Sequence, residues 1–180
     1  MQKLAFTEFL FFLSIAVLGY YGILHLENQV FSGIYFSFET LYDYTGWLSF
    51  GLLFIGLWLQ NPYGKIFGML AFVAACWHGL VFLHLDFGFD WGLIMQKILA
   101  ENHLIVGSIS FFAMALVFFV SLLQIFRRFY FSFVVYFAIL FGVLHIIMLQ
   151  KVLNQFYYAV LAITLCALIF KIGKLIRKFY

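Results

Sequence analysis

The chain has 180 residues, of which 67% are hydrophobic and 9% charged, whereas a soluble domain is roughly half apolar and a quarter charged. These proportions place it in a membrane and exclude a separate soluble catalytic domain beside several spans of about 20 residues each. One proline and 23% aromatic residues argue for a packed helical bundle rather than for disorder.

Cutting the sequence at its charges leaves six long uncharged runs: 9–26 (18 residues), 44–64 (21), 66–85 (20), 102–126 (25), 129–150 (22) and 152–170 (19). Each is close to what a hydrocarbon core of about 30 Å demands of a helix. The expected fold is therefore an all-α bundle of six membrane-spanning helices forming one domain, with spans near 9–26, 44–62, 66–85, 103–124, 130–150 and 152–170. The run 28–38 has only 11 residues and is expected to lie as an interfacial loop, its Phe and Tyr side chains at headgroup level.

Six spans return both termini to one side of the membrane. Lys3, Lys65, Arg127, Arg128, Lys171, Lys174, Arg177 and Lys178 would share that side, leaving Lys97 and Lys151 opposite. The excess marks the cytoplasm and predicts a multi-pass membrane protein with both termini inside. Glu27, Glu39, Asp43, Asp86, Asp90 and Glu101 fall in or beside two longer outer loops, with Glu8 alone toward the inner end of the first span. A basic rim of this kind is a topology signal, so nucleic-acid binding is not expected.

The first span resembles a signal peptide in having Lys3 ahead of an apolar stretch, but no small-x-small site follows Gly22 and cleavage is not expected. Cys76 and Cys166 fall in mid-span without CxxC spacing, which predicts small buried apolar residues rather than a disulfide.

Ionisable residues inside a span cost free energy, which makes each a functional candidate. His25, His84 and His103 fall at the outer ends of the first, third and fourth spans, whereas His78 and His145 lie inside the third and fifth. From Lys65 to His78 is 13 residues and from Arg128 to His145 is 17, or about 20 Å and about 26 Å along a helix. With snorkelling of the basic anchors, both imidazoles reach comparable heights in the outer half of the bilayer. Their spans run in the same direction, so the two can face one another and hold one metal between helices.

Below each histidine runs a strip of small residues: Ala71, Ala74 and Ala75 before His78, Ala138 and Gly142 before His145. Among 27 Phe and 11 Tyr, two such strips would leave a slot for a flat macrocycle. Haem b with His78 and His145 as axial ligands satisfies both features. Against it stands the reading that small residues let helices approach and that each histidine is hydrogen-bonded across the bundle. His84 near Asp86, His103 opening the fourth span and His25 beside Glu27 read first as interfacial and capping groups.

Other chemistries lack their residues. There is no phosphate-cradling glycine pattern, no GxSxG, no HExxH, and no carboxylate pair inside a span. Pumps carry intramembrane acids, and transporters carry repeated broken helices; neither is legible here. Trp47, Trp58, Trp77 and Trp91 read as belt and core.

The order of several motifs is similar to that of the ferric-reductase-like membrane family. They are Thr45-Gly46, then Phe67-Gly68-Met69-Leu70-Ala71-Phe72 leading to Trp77-His78, the outer run from Leu85 to Gly92, Ile105-Val106-Gly107, and Tyr136 through His145 to Lys151. The likeness covers about 107 of the 180 residues. Within that family it resembles the haem-binding membrane subunits of bacterial methionine sulfoxide reductase systems. The resemblance implies one haem b held by His78 and His145, and electrons drawn from the quinone pool or a flavin (FMN) donor. It implies delivery to a periplasmic molybdopterin-dependent subunit that repairs oxidised protein methionines, this chain being the electron-transfer rather than the catalytic subunit. The chain departs from the family pattern at Ser132, where relatives often carry a further histidine, in the short Arg127-Arg128 loop, and at Glu101-Asn102-His103 in place of Arg-Pro-Tyr. Beside this reading stand a ferric reductase or quinone-linked b-type cytochrome with another acceptor, and a non-redox transporter or assembly subunit.

Overall fold

The computed structural model describes residues 2–31, 38–59, 62–123, 129–150 and 152–177. Most of the expected interfacial run 28–38 lies outside them, as do Arg127, Arg128, Lys151 and Lys178; the side chains of Lys3, Glu27, Glu39 and Asp86 are also outside. Every regular element among the described residues is a helix. In chain order they are α1 (Gln2–Phe31), α2 (Phe38–Trp58), α3 (Tyr63–Val81) running into a π-helical segment (Phe82–Asp86), α4 (Trp91–Ala100), α5 (Asn102–Leu123), α6 (Phe129–Leu149) and α7 (Gln155–Ile176).

Among the described residues, four stretches are long and apolar enough to cross a membrane: Tyr63–His84, Asn102–Leu123, Ser132–Leu149 and Gln155–Ile176. In α1 the apolar stretch is the shorter Thr7–Ile23. The helix boundaries follow local chemistry rather than the charges alone. The second run was expected to continue to about residue 62, but α2 ends at Trp58, because the only proline of the chain, Pro62, sits at the N-cap of α3. Proline disfavours helix in the residue before it and is at home where a helix begins, since its missing N–H would have no partner there.

The stretch between Asp86 and Glu101, expected as loop, contains the ten-residue helix α4. Asp90 starts it, its Oδ1 accepting from the N–H groups of Gly92 (3.0 Å) and Leu93 (3.1 Å). Asn154 begins α7 in the same way, accepting from Phe156 and Tyr157.

The core centres on α3, where Met69 and Ala71 through Ala75 are all buried. A helix apolar on every side belongs in the middle of a bundle. Phe72 reaches from it to Phe118 of α5 with ring centroids 4.8 Å apart, and Phe12 of α1 closes on the same Phe118 at 6.0 Å. α1 runs parallel to α3, because Glu8 meets Lys65 at one end (2.8 Å) and Tyr20 meets His84 at the other (3.1 Å). Between these ties Trp77 donates its indole N–H to the Ala16 carbonyl at 2.9 Å. Its ring fills the space beside Gly19, where a Cβ would come within 2.1 Å of it.

Candidate functional site: an imidazole pair between two helix hairpins

α2 and α3 form one antiparallel hairpin, and α5 and α6 form another. His78 of α3 and His145 of α6 meet between them, ring centroids 6.2 Å apart and planes at 80°. The facing arrangement expected from helix depth is therefore present.

Each ring is fixed from behind by the other helix of its own hairpin. Nδ1 of His78 lies 3.1 Å from the Tyr42 carbonyl oxygen, and Nδ1 of His145 lies 2.7 Å from that of His103. A carbonyl only accepts, so Nδ1 must carry the proton in both rings, which leaves Nε2 on the far edge as a lone-pair donor. Histidine ligands of metals are commonly oriented in this way, by an N–H···O=C bond on the nitrogen that does not bind. The Thr45 hydroxyl joins the first arrangement, 3.3 Å from Nδ1 of His78, while also bonding the Leu41 and Tyr42 carbonyls.

The backbone makes room for these bonds with glycine. Gly46 stands one turn after Tyr42, and Gly107 one turn after His103, where a side chain would cover the carbonyl from the ring's side. A Cβ on Gly46 would meet His78 at 3.2 Å; one on Gly107 would lie 2.7 Å from Nδ1 of His145. Three residues beyond each glycine a serine bonds to the facing helix: Ser49 to the Ala71 carbonyl (3.0 Å) and Ser110 to the Ala138 carbonyl (2.8 Å). Ala71 and Ala138 each stand seven residues before their histidine. The two hairpins thus repeat one design: a carbonyl, a glycine and a serine on the first helix, an alanine and a histidine on the second.

This repeat corrects one expectation. Ala71, Ala74, Ala75, Ala138 and Gly142 were to leave a slot for a flat ligand, but the four alanines are buried, Gly142 is half-buried, and at Ala71 and Ala138 the neighbouring helix comes close enough for a serine to bond the backbone. There the small residues serve helix approach. The fit to haem rests on the imidazoles alone. A metal–nitrogen bond of about 2 Å to each ring, plus about 1 Å from nitrogen to ring centre, spans roughly 6 Å between centroids. The observed 6.2 Å is of that size, so His78 and His145 are the residues that would hold such a metal. No group of three or more His, Cys, Asp or Glu gathers as a metal site among the described residues.

Comparison with protein-family models, with curated proteins and with solved structures gives no match.

The remaining histidines separate into different settings. His103 opens α5, as expected, but sequence reasoning missed its carbonyl as the partner of His145; its ring also lies 6.0 Å from that of His145. Nε2 of His103 is 3.1 Å from the Glu101 carboxylate, which also pairs with Lys97 one turn earlier. The hydrogen bond from Lys97, aided by the charges of Lys97 and His103, holds the Glu101 carboxyl below the usual range. His84 bonds Tyr20 and stacks on Phe89, centroids 5.4 Å apart and planes at 21°. Phe89 has φ +63° after Gly88 at +52°, so this turn holds a bulky residue in the left-handed region. His25 is exposed on α1, and the pairing with Glu27 lies outside the described side chains.

The signal that could have found Tyr42 and His103 was in the sequence as a paired spacing. Tyr42, Gly46 and Ser49 recur as His103, Gly107 and Ser110, each set shifted by 61 residues, and Ala71 and His78 recur as Ala138 and His145, shifted by 67.

Proposed function

We propose that the chain is a haem b-binding electron-transfer subunit of a bacterial inner membrane. Its electrons come from the quinone pool or an FMN-containing donor and pass to a periplasmic molybdopterin-dependent reductase that repairs methionine sulfoxide in proteins. In this reading α1 and α2 join the four longer apolar stretches as spans of a six-helix, ferric-reductase-like bundle with both termini cytoplasmic. The observation that carries it is the imidazole pair, which offers two Nε2 lone pairs 6.2 Å apart between ring centres. The motif order from Thr45 to Lys151 supports the choice of electron partners.

His78 and His145 would hold the haem, which supplies a one-electron iron couple. The Tyr42 and His103 carbonyls keep both rings oriented and raise the basicity of Nε2. Serine bonds at Ala71 and Ala138 keep each hairpin closed, so each imidazole is carried on a fixed pair of helices. The Phe72 and Phe118 rings add apolar bulk between α3 and α5, and lower water access favours the less charged redox state of a buried centre.

Purified protein is expected to show a Soret band and a reduced b-type α band, both lost in His78→Ala and in His145→Ala. A colourless wild type after haem supplementation overturns the proposal. Reoxidation of the reduced protein by a periplasmic molybdopterin reductase with oxidised-methionine substrate separates the favoured acceptor from a ferric or other acceptor. The burial of the small strips favours one second reading, a non-redox membrane subunit in which both histidines lock hairpins by hydrogen bonding. That reading predicts wild-type protein without a Soret band and destabilised by loss of either histidine.

A further inference from the structure

α7 packs loosely, and its contact with α2 leaves a groove of about 450 Å³ lined by Phe54 and Trp58 of α2 and by Ala162, Ile163, Cys166 and Ala167 of α7. The α7 residues recur at helical spacing, so they form one face, and three of them are small. That face does not stay apolar. One turn after Cys166 comes Phe170, stacked on Trp58 with centroids 6.1 Å apart. One turn after Ala167 comes Lys171, whose ammonium lies 4.7 Å from the centre of the Trp58 ring. Lys174 follows one turn after Phe170, near the end of α7.

The geometry points to a binding site for one anionic phospholipid. An acyl chain lies along the small-residue face between Phe54 and Ala162, and the phosphate headgroup rests at Lys171 and Lys174. Charge complementarity selects this occupant. The apolar channel ends in two cations on the same helix face, and among the described residues no carboxylate forms an ion pair with either. A basic pocket at the end of an intramembrane helix groove attracts anionic headgroups. Trp58 holds the Lys171 ammonium over its ring and so places the charge at the mouth of the channel instead of letting it extend into water. The site makes no use of the imidazole pair, and it stands or falls separately from haem binding.

The test is native mass spectrometry of the full chain, delipidated in mild detergent and offered phosphatidylglycerol and phosphatidylcholine with identical acyl chains. The expected result is one retained phosphatidylglycerol per chain, preferred about 25-fold over phosphatidylcholine, at about fivefold for each lysine near the headgroup. Lys171→Gln with Lys174→Gln should abolish the preference, whereas Ala162→Trp, which fills the exposed side of the channel, should abolish retention of both lipids. Both variants change exposed or partly exposed positions, and a thermal melt reports that each is folded. Equal retention of the two lipids by wild type, an unchanged preference in the double lysine variant, or a dimer with this face closed by a second copy each overturns the proposal.

Discussion

Nδ1 of His145 stands 2.7 Å from the carbonyl oxygen of His103, and the path between them is open only because Gly107 has no side chain. The equivalent bond from His78 to Tyr42 is longer, at 3.1 Å, and Gly46 is less tightly pressed. The two glycines therefore differ in what they tolerate. Gly107→Ala must displace the imidazole from a Cβ 2.7 Å away, which should destabilise the protein by about 1–3 kcal/mol. Gly46→Ala meets His78 at 3.2 Å, a few tenths of an ångström to be absorbed, while alanine gains about 1 kcal/mol of helix propensity. It should be near neutral. Thermal or denaturant unfolding in detergent checks the order; equal effects would show that the rings are not held against these glycines.

The serine bonds make a second comparison. Ser49 and Ser110 are both buried, and each donates to an alanine carbonyl across its hairpin. Interhelical hydrogen bonds in membranes average about 0.6 kcal/mol, so Ser49→Ala and Ser110→Ala should each cost about that much. The two sites lie in different hairpins, and their effects should add within about 0.5 kcal/mol. A strongly non-additive double variant would mean that the hairpins do not close independently around the histidines.

Trp77 offers a test of the α1–α3 interface. Gly19→Ala would place a Cβ 2.1 Å from the indole ring, so the ring must leave its seat and give up its bond to the Ala16 carbonyl. Destabilisation of about 2–3 kcal/mol is expected, as for overpacking with loss of a buried hydrogen bond. Trp77→Phe, which vacates the space, should rescue part of it. Unfolding of the single and double variants measures the coupling, and purely additive losses would contradict the contact.

These relationships explain how much of the molecule was legible beforehand. Scarce charges mark helices by interrupting apolar runs, and each of the six runs contains a described helix, four of them with stretches long and apolar enough to cross a membrane. α4 was missed because Lys97 and the flanking acids break its apolarity, although Asp90 is an N-cap and announces a helix start. His78 and His145 stood out as the only polar groups of their type deep in spans. Tyr42 and His103 did not, because what they contribute is a backbone carbonyl, which every residue has. Only the recurrence of glycine and serine at matched offsets betrays them. The slot reading failed for a related reason: small residues signal close approach, and the sequence does not say whether a helix or a ligand is what approaches.

The corner between α4 and α5 carries the pH dependence. Glu101 accepts from Lys97 and sits 3.1 Å from His103, and these partners hold its carboxyl below the usual range. A carboxyl with a depressed folded-state pKa contributes stability that is present above the unfolded value, about 4.3, and is lost as pH falls through the folded one. Acidification below about pH 4 should therefore loosen this corner first, seen as faster hydrogen exchange at the end of α4 and the start of α5. Glu101→Gln should show the faster exchange already at neutral pH and little further change on acidification. The effect should be small, because the pair is solvent-accessible and water and salt screen such ion pairs. His145 would respond through the His103 carbonyl, so its ring signals should shift in the variant even where global stability is unchanged. An identical exchange profile for wild type and Glu101→Gln at neutral pH would show that this ion-pair chain does not hold the corner.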